Sequence, residues 1–254
     1  MLYKITYMKR ILFATIAGLV MQVAGAQVKE GKIVYQRKMN MHKRLSAEHE
    51  SMKNMIPEFN TSKSELLFAE SESIFKNLQE EEEDIRETAG QQEGGRVIRR
   101  FGGGDNQVYK NYSTDRVIEL RELGPKKYII EDSIRKMNWK LDESETRTIK
   151  GYTCKKAVSK DPRGTEVVAW YAEQITCPSG PENWGGLPGL ILEVNVGDGE
   201  IVYTPIEIND KSDKKMVKAP TGGKKITRQE FQKMMEDQFG ANPGGGPSIR
   251  IIRQ

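Results

Sequence analysis

Apolar and polar positions alternate at period two through most of this chain, the spacing of strands that bury one face. Such segments run from Gly31 to Met41, Ser64 to Ser71, Asn106 to Tyr112, Asp115 to Leu123 and Lys126 to Asp132, with Gly124-Pro125 joining the last two. Between Met137 and Glu143 the apolar residues Met137, Trp139 and Leu141 recur on one side. Enrichment in Val, Ile and Tyr, with turn residues at short spacing, predicts an antiparallel sheet.

Two hairpins are expected downstream. Thr146 to Lys160 meets the turn Asp161-Pro162-Arg163-Gly164, then Thr165 to Ile175. With Asp161 and Gly164 flanking the turn, Cys154 falls opposite Tyr171. The second joins Leu190–Val196 to Glu200–Ile208 through Gly197-Asp198-Gly199, where the glycines supply positive φ. Ahead of it stands "NWGGLPGLILEV", from Asn183 to Val194. Pro188 and Gly189 occupy the second and third places of a predicted type II turn. Leu190, Leu192, Val194 and Val196 then share one face, with Ile191 the exception on the other. No side chain of the hexapeptide Gly186–Ile191 can act as acid, base, nucleophile or metal ligand, so a structural turn is the preferred reading. Recognition by an exposed lip falls to Trp184, Gly185, Gly186, Leu187 and Pro188, with Trp170 as a further aromatic candidate.

Two segments carry helical signals. Within Arg44 to Phe59 a helix is expected from Ser46, ended by Pro57. Thr227-Arg228-Gln229-Glu230 is a capping box, followed by Phe231, Met234, Met235 and Phe239 at helical spacing. Leu78 to Gly95 has too few apolar residues to pack and reads as a mobile acidic loop. Pro and Gly after Phe239 make a flexible tail, in which Ser248–Gln254 is an edge strand or free end. The expected fold is mainly β: a large curved antiparallel sheet, half-barrel or sandwich-like, with one or two short helices and a Gly-rich C-terminal tail. The expected organisation is 1–26 signal peptide, 27–215 β domain with its acidic loop near 78–105, and 216–254 helix and tail.

The N-terminus changes the charge picture. Lys4, Lys9 and Arg10 precede an apolar run from Ile11 to Val23, and Ala24-Gly25-Ala26 supplies a small-x-small cleavage site, the pattern of a secretory signal peptide. The run is short for a membrane span. The chain has 40 Lys plus Arg and 36 Asp plus Glu. Without the three bases of the signal the balance is 37 to 36, too even to draw nucleic acid or an anionic membrane. The expected location is exported: the periplasm, the periplasmic face of the outer membrane, or the medium. No transmembrane segment is expected after signal removal, and no nucleic-acid partner.

Catalytic motifs are missing. The only histidines, His42 and His49, share one short segment, and no HExxH, paired CxxC or Walker loop occurs. No catalytic residue and no cofactor is expected. Met39, Met41, His42, His49, Met52 and Met55 cluster in sequence, and thioether plus imidazole suits Cu(I). The alternative is Met residues filling a strand–helix contact with exposed His. Cys154 and Cys177 are an even pair in a chain expected to be exported. The hairpin register separates them by about 20 Å of extended strand, where a bond needs Cα atoms within about 7 Å. Pro178 and Gly180 allow the chain to fold back, so a disulfide and two free thiols both stand.

The ordered set "DSIRKMNWKLDESETRTI", "IKGYTCKKA", "AWYAEQI", "SGP" and "GLPGLILEV", with "GKIVY", "PEFNTSKSELLF" and "SESIF" upstream, resembles the bacterial GLPGLI family across roughly Gly31 to Asn209. The resemblance implies an exported, β-rich protein of Gram-negative envelopes, with no activity or catalytic residue to carry over. The second Cys is less characteristic of it than that of "GYTC".

Two function classes follow. One is a non-enzymatic envelope protein that binds an apolar ligand or a protein partner through a curved sheet, by fold analogy with envelope lipoprotein carriers. Its mark is a continuous apolar cavity for the lipid form, and a filled interior for the partner form. The other is an envelope hydrolase or transferase using carboxylates or Cys154, marked by convergent carboxylates or an exposed Cys154 beside a base. The Cu(I) segment is a third alternative.

Overall fold

The computed structural model of the protein describes residues 27–45, 47–78, 105–211 and 214–239. The expected signal peptide, almost all of the acidic loop and the Gly-rich tail lie outside them.

Twelve strands form one curved sheet. Six follow each other as a meander: β1 (Gly31–Asn40), β2 (Phe59–Phe68), β3 (Glu72–Asn77), β4 (Gln107–Asn111), β5 (Arg116–Leu123) and β6 (Lys126–Ser133). Five more make a second meander: β7 (Lys140–Ile149), β8 (Tyr152–Lys160), β9 (Glu166–Ala172), β10 (Leu190–Val196) and β11 (Ile201–Asn209). The first strand of one meander pairs with the last of the other, β1 with β11, and joins them into one sheet. β12 (Lys224–Ile226) adds to β6 in parallel, the exception to an otherwise antiparallel ladder. The sheet stays open, with β12 and β7 as its edges.

Both faces of β2–β5 are buried, which explains their runs of adjacent apolar residues. Leu66, Phe68, Phe75, Val108 and Val117 point into the main core with Ile33, Tyr35, Tyr171 and Tyr203. Leu67, Ile74, Tyr109, Ile118 and Ile129 point the other way, into a second core completed by Val217 and Ala219. The chain after β11 thus crosses the second face before reaching β12. Residues 214–239 are a strap on the same sheet.

The α-helix α1 (Arg228–Phe239) follows β12 and sets Phe231 edge-on to Tyr128 at 6.1 Å. Its capping box forms as expected. The Glu230 N–H donates to Thr227 Oγ1 at 3.1 Å, and the Thr227 N–H donates to Glu230 Oε2 at 2.7 Å. Thr227→Ala is expected to cost about 1 kcal/mol in urea unfolding. A neutral result would mean that α1 docks without its cap.

Four local expectations are corrected. Thr146–Lys160 is two strands, because Lys150 (φ 50°) and Gly151 (φ 87°) form a two-residue turn. That backbone is a tight hairpin's, and a lysine in its first position hid it. Met137 to Trp139 precede β7 instead of forming strand. At Asp161–Thr165 the loop holds three residues, Pro162 to Gly164, closed by Asp161 N–H on Thr165 O at 2.9 Å. The register therefore sets Tyr171 opposite Lys155, one place from Cys154. Ala47–Met55 forms 3-10 turns in place of an α-helix. Among its described side chains Glu50, Ser51, Asn54 and Met55 are exposed, Met55 at 77%, and tertiary burial is what holds short helices.

The exposed edge is guarded. β7 carries a bulge between Asp142 and Thr146 and is polar along most of its length. A charged, bulged edge resists pairing with another chain.

Candidate functional site

The connection 173–189 between β9 and β10 lies against the main core. It enters as a strand-like fold-back: Val28 N–H donates to Gln174 O at 2.8 Å, and Thr176 N–H donates to Val28 O at 3.1 Å. Leu190 N–H donates to Ile175 O, and Ile191 N–H donates to Ser179 O. Ser179 meets Ser73 of β3, hydroxyl to hydroxyl, at 2.8 Å. Gly186 N–H closes the loop on Pro178 O at 2.8 Å.

Side chains from across the sheet hold its carbonyls. Lys110 of β4 donates from Nζ to Trp184 O at 2.7 Å and to Gly180 O at 3.4 Å. Trp139 Nε1 donates to Gly185 O at 2.9 Å. Tyr35 donates to Ile191 O at 2.6 Å. Tyr203 donates to the Glu182 carboxylate and accepts from Arg37 Nε. Glu182 sits at φ 45°, in the left-handed region that a side chain resists, and the Tyr203 bond helps hold it there. The backbone also comes close: a Cβ on Gly185 would lie 2.4 Å from the Tyr112 hydroxyl.

The hexapeptide turn differs from the expected type II. Gly189 N–H donates to Leu187 O at 2.8 Å, while Leu190 N–H goes to Ile175. This is a three-residue turn centred on Pro188, whose fixed φ suits that geometry. Gly189 then takes φ 151° directly over the backbone of Ala172. A register shift follows between Ile191 and Glu193, which puts Ile191 opposite Tyr171 and Glu193 opposite Trp170. Ile191 is therefore fully buried, and its place on the outer face is corrected.

The structure brings Trp184 to Pro188 together as one lip. Glu182, Asn183, Gly186 and Pro188 are exposed, Trp184 is half-buried, and Gly185 and Leu187 face inward. Trp139 stands beside Trp184, their ring centroids 6.4 Å apart. Trp170 is elsewhere, on the outer side of β9, with the Arg147 guanidinium 4.1 Å over its ring and Arg147 paired to Glu193.

Of the Met and His candidates, the four described side chains have other neighbours. Met39 Sδ accepts from Arg44 Nη1 at 2.9 Å and Arg37 Nη2 at 3.4 Å, two guanidinium groups that repel a cation. His42 Nε2 lies 3.1 Å from Ile56 O, Met41 is half-buried and Met55 points to solvent. The side chains of His49 and Met52 lie outside the described residues. Among the described residues no group of three or more His, Cys, Asp or Glu could hold a metal.

Cys154 and Cys177 are separate buried thiols. Cys154 Sγ faces Tyr152 O at 3.5 Å and Cys177 Sγ faces Glu72 O at 3.7 Å. Burial pushes them up to about 11 and about 12, so neither is a thiolate nucleophile at neutral pH. Cys154 is thus neither exposed nor activated.

Sequence reasoning missed the anchors. Lys110, Ser73, Tyr35 and Tyr203 lie far along the chain from the loop, and nothing local marks them. Lys110 is 1% exposed, an unusual place for a lysine, but its alternation in β4 reads as ordinary strand.

A protein-family model, Porph_ging, described as a protein of unknown function and found in Bacteroidetes, matches residues 159–193. That stretch contains the hexapeptide and is compatible with a GLPGLI-type family. No curated protein matches the sequence. Among solved structures, PNGF-II in its P21 and C2 crystal forms is similar at TM-scores of 0.55 and 0.54 and 16% identity. Each alignment covers 83% of this chain but only 34% and 33% of PNGF-II, so the chain spans about a third of that protein's length. An uncharacterized conserved protein from Thermus thermophilus aligns over 84% of this chain and 99% of its own, at 7% identity and a TM-score of 0.42. At 16% identity the likeness to PNGF-II is one of fold, and over 159–193 the chain resembles a family of unknown function.

Proposed function

We propose that this is an exported, non-enzymatic envelope protein that binds a protein partner through the lip 182–188. The observation that carries the reading is the investment of buried hydrogen bonds in this loop. Tyr35, Lys110, Trp139 and Tyr203 hold its backbone and Glu182, while Asn183, Gly186 and Pro188 are exposed around a half-buried Trp184 that stands beside Trp139. A rigid, partly exposed aromatic rim suits a hot spot, because little entropy is lost on binding.

The apolar-ligand form of this reading finds less support. Tyr35, Phe68, Tyr171, Leu187 and Ile191 fill the interior where a lipid chain would lie. Two shallow hollows lie away from this interior, beside β6, β12 and α1. No described helix is long and apolar enough to cross a membrane.

The test is capture by the mature protein from its native envelope, with Trp184→Ala and the surface change Asn183→Lys run beside wild type. A protein retained by wild type and recovered at least about tenfold less by both variants, with melting curves unchanged for Asn183→Lys, is the expected result. Undiminished capture by both variants, or recovery of lipid alone, would remove the lip from the function.

A further inference from the structure

Lys110 is fully enclosed, and its hydrogen-bond acceptors are two main-chain carbonyls of the loop, Trp184 O and Gly180 O. Among the described residues no carboxylate lies within ion-pair distance of it. Glu119 of β5 is committed to Arg121 and Arg228, and Glu182 of the loop to Tyr203. Cys177, also facing it, is a neutral thiol. A charge in that position has carbonyl dipoles as its direct partners and carboxylates only beyond ion-pair distance, whereas a neutral amine can still donate to both carbonyls.

We propose that Lys110 is a proton-sensitive latch on the lip: the loop is shut tightest when Nζ is neutral and loosens when Nζ takes a proton. Its value for partner binding rests on the function proposed above, but the latch is testable without a partner.

Burial pushes the Lys110 ammonium down from 10.5 to about 7, against the attraction of Glu119 and Glu182. An opened loop returns it to water and to its ordinary value. Between those values the open loop holds a proton that the shut loop lacks, so opening grows by up to about tenfold for each unit that pH falls. Cys177 sets the upper limit. Burial raises it from 9.0 to about 12, so above pH 9 the open loop sheds a proton the shut loop keeps. The two slopes then cancel. Opening should be least between about pH 9 and 10.5, and roughly 25-fold greater at pH 7 than at pH 9.

The experiment is hydrogen exchange on the full chain at pH 7, 8 and 9, corrected for the intrinsic rise of exchange with pH. Peptides spanning Cys177 to Gly189 report the loop, and peptides from the β2–β3 ladder report the sheet. The expected result is a loop opening constant that falls about fivefold per unit from pH 7 to 9, exceeds that of the ladder at each pH, and loses that fall in Lys110→Met. A flat wild-type profile, the same slope in Lys110→Met, or loop and ladder opening with one constant would each overturn the latch. If Lys110→Met does not fold, the Cε resonance of Lys110 decides: titration near 7 supports the latch and titration near 10.5 overturns it. A latch that behaves as stated in a protein that captures nothing sinks only the partner reading.

Discussion

Gly189→Ala is expected to unfold the protein or to cost about 4 kcal/mol, whereas Gly186→Ala, three residues away, costs about 1 kcal/mol. The two glycines have different jobs. At Gly186 φ is 84° and no atom lies within 4 Å of an added Cβ, so alanine meets only the left-handed backbone penalty. At Gly189 φ is 151°, and an added Cβ would stand 2.3 Å from Ala172 O, 2.7 Å from Ala172 C and 2.9 Å from Glu173 Cα. All three are backbone atoms, which cannot swing aside as a side chain can. Relief would require parting β9 from β10 at the pair Leu190–Ala172, where both residues are fully buried. Urea unfolding of both variants checks the contrast. Equal losses would mean that the close approach over Ala172 is not needed for the fold.

That contrast shows what the sequence could and could not tell. Pro188-Gly189 announced a turn, and the alternation in β1, β4–β6 and β9–β11 announced strands, because both are written in neighbouring residues. The class of sheet and α1 with its capping box followed from the same local signals. Lys150 at φ 50° did not announce its turn, since lysine carries no turn preference. β3 and β12 are short, and pairing with β2, β4 and β6 makes them strands more than their own residues do. The loop was partly legible: Trp184 and the glycines marked an unusual stretch. Why they are held could not be read, because Lys110 and Tyr203 reach them only through the fold. Of the Met and His residues close in sequence, Met39 has its sulfur on Arg37 and Arg44, which only the fold could show.

The second large effect concerns the strap. Arg228→Met is expected to cost about 3 kcal/mol and to strip α1 of hydrogen-exchange protection. Glu119 is 2% exposed on the main face, and its carboxylate accepts from Arg121 and from Arg228 Nη2 at 2.8 Å. Arg228 also donates from Nε to Asp132 at 2.8 Å. It is the first residue of α1, so one guanidinium ties the helix to β5 and β6. A helix this short is marginal alone, and Phe231, Met234 and Met235 are only half-buried. Burial pushes the Glu119 carboxyl up, and Arg121 and Arg228 more than reverse it, leaving it below 4.5. Its contribution is then present above pH 4.5 and is lost as pH falls through its folded value. With Arg228 gone, burial regains ground, the folded value rises, and acid unfolding should begin at higher pH than in wild type. Adding Glu119→Leu should recover part of the loss, since an apolar pair carries no desolvation cost. Urea unfolding, acid titration by circular dichroism and exchange on α1 peptides measure the three effects. A loss under about 1 kcal/mol with α1 still protected would assign the docking to Phe231 on Tyr128 instead.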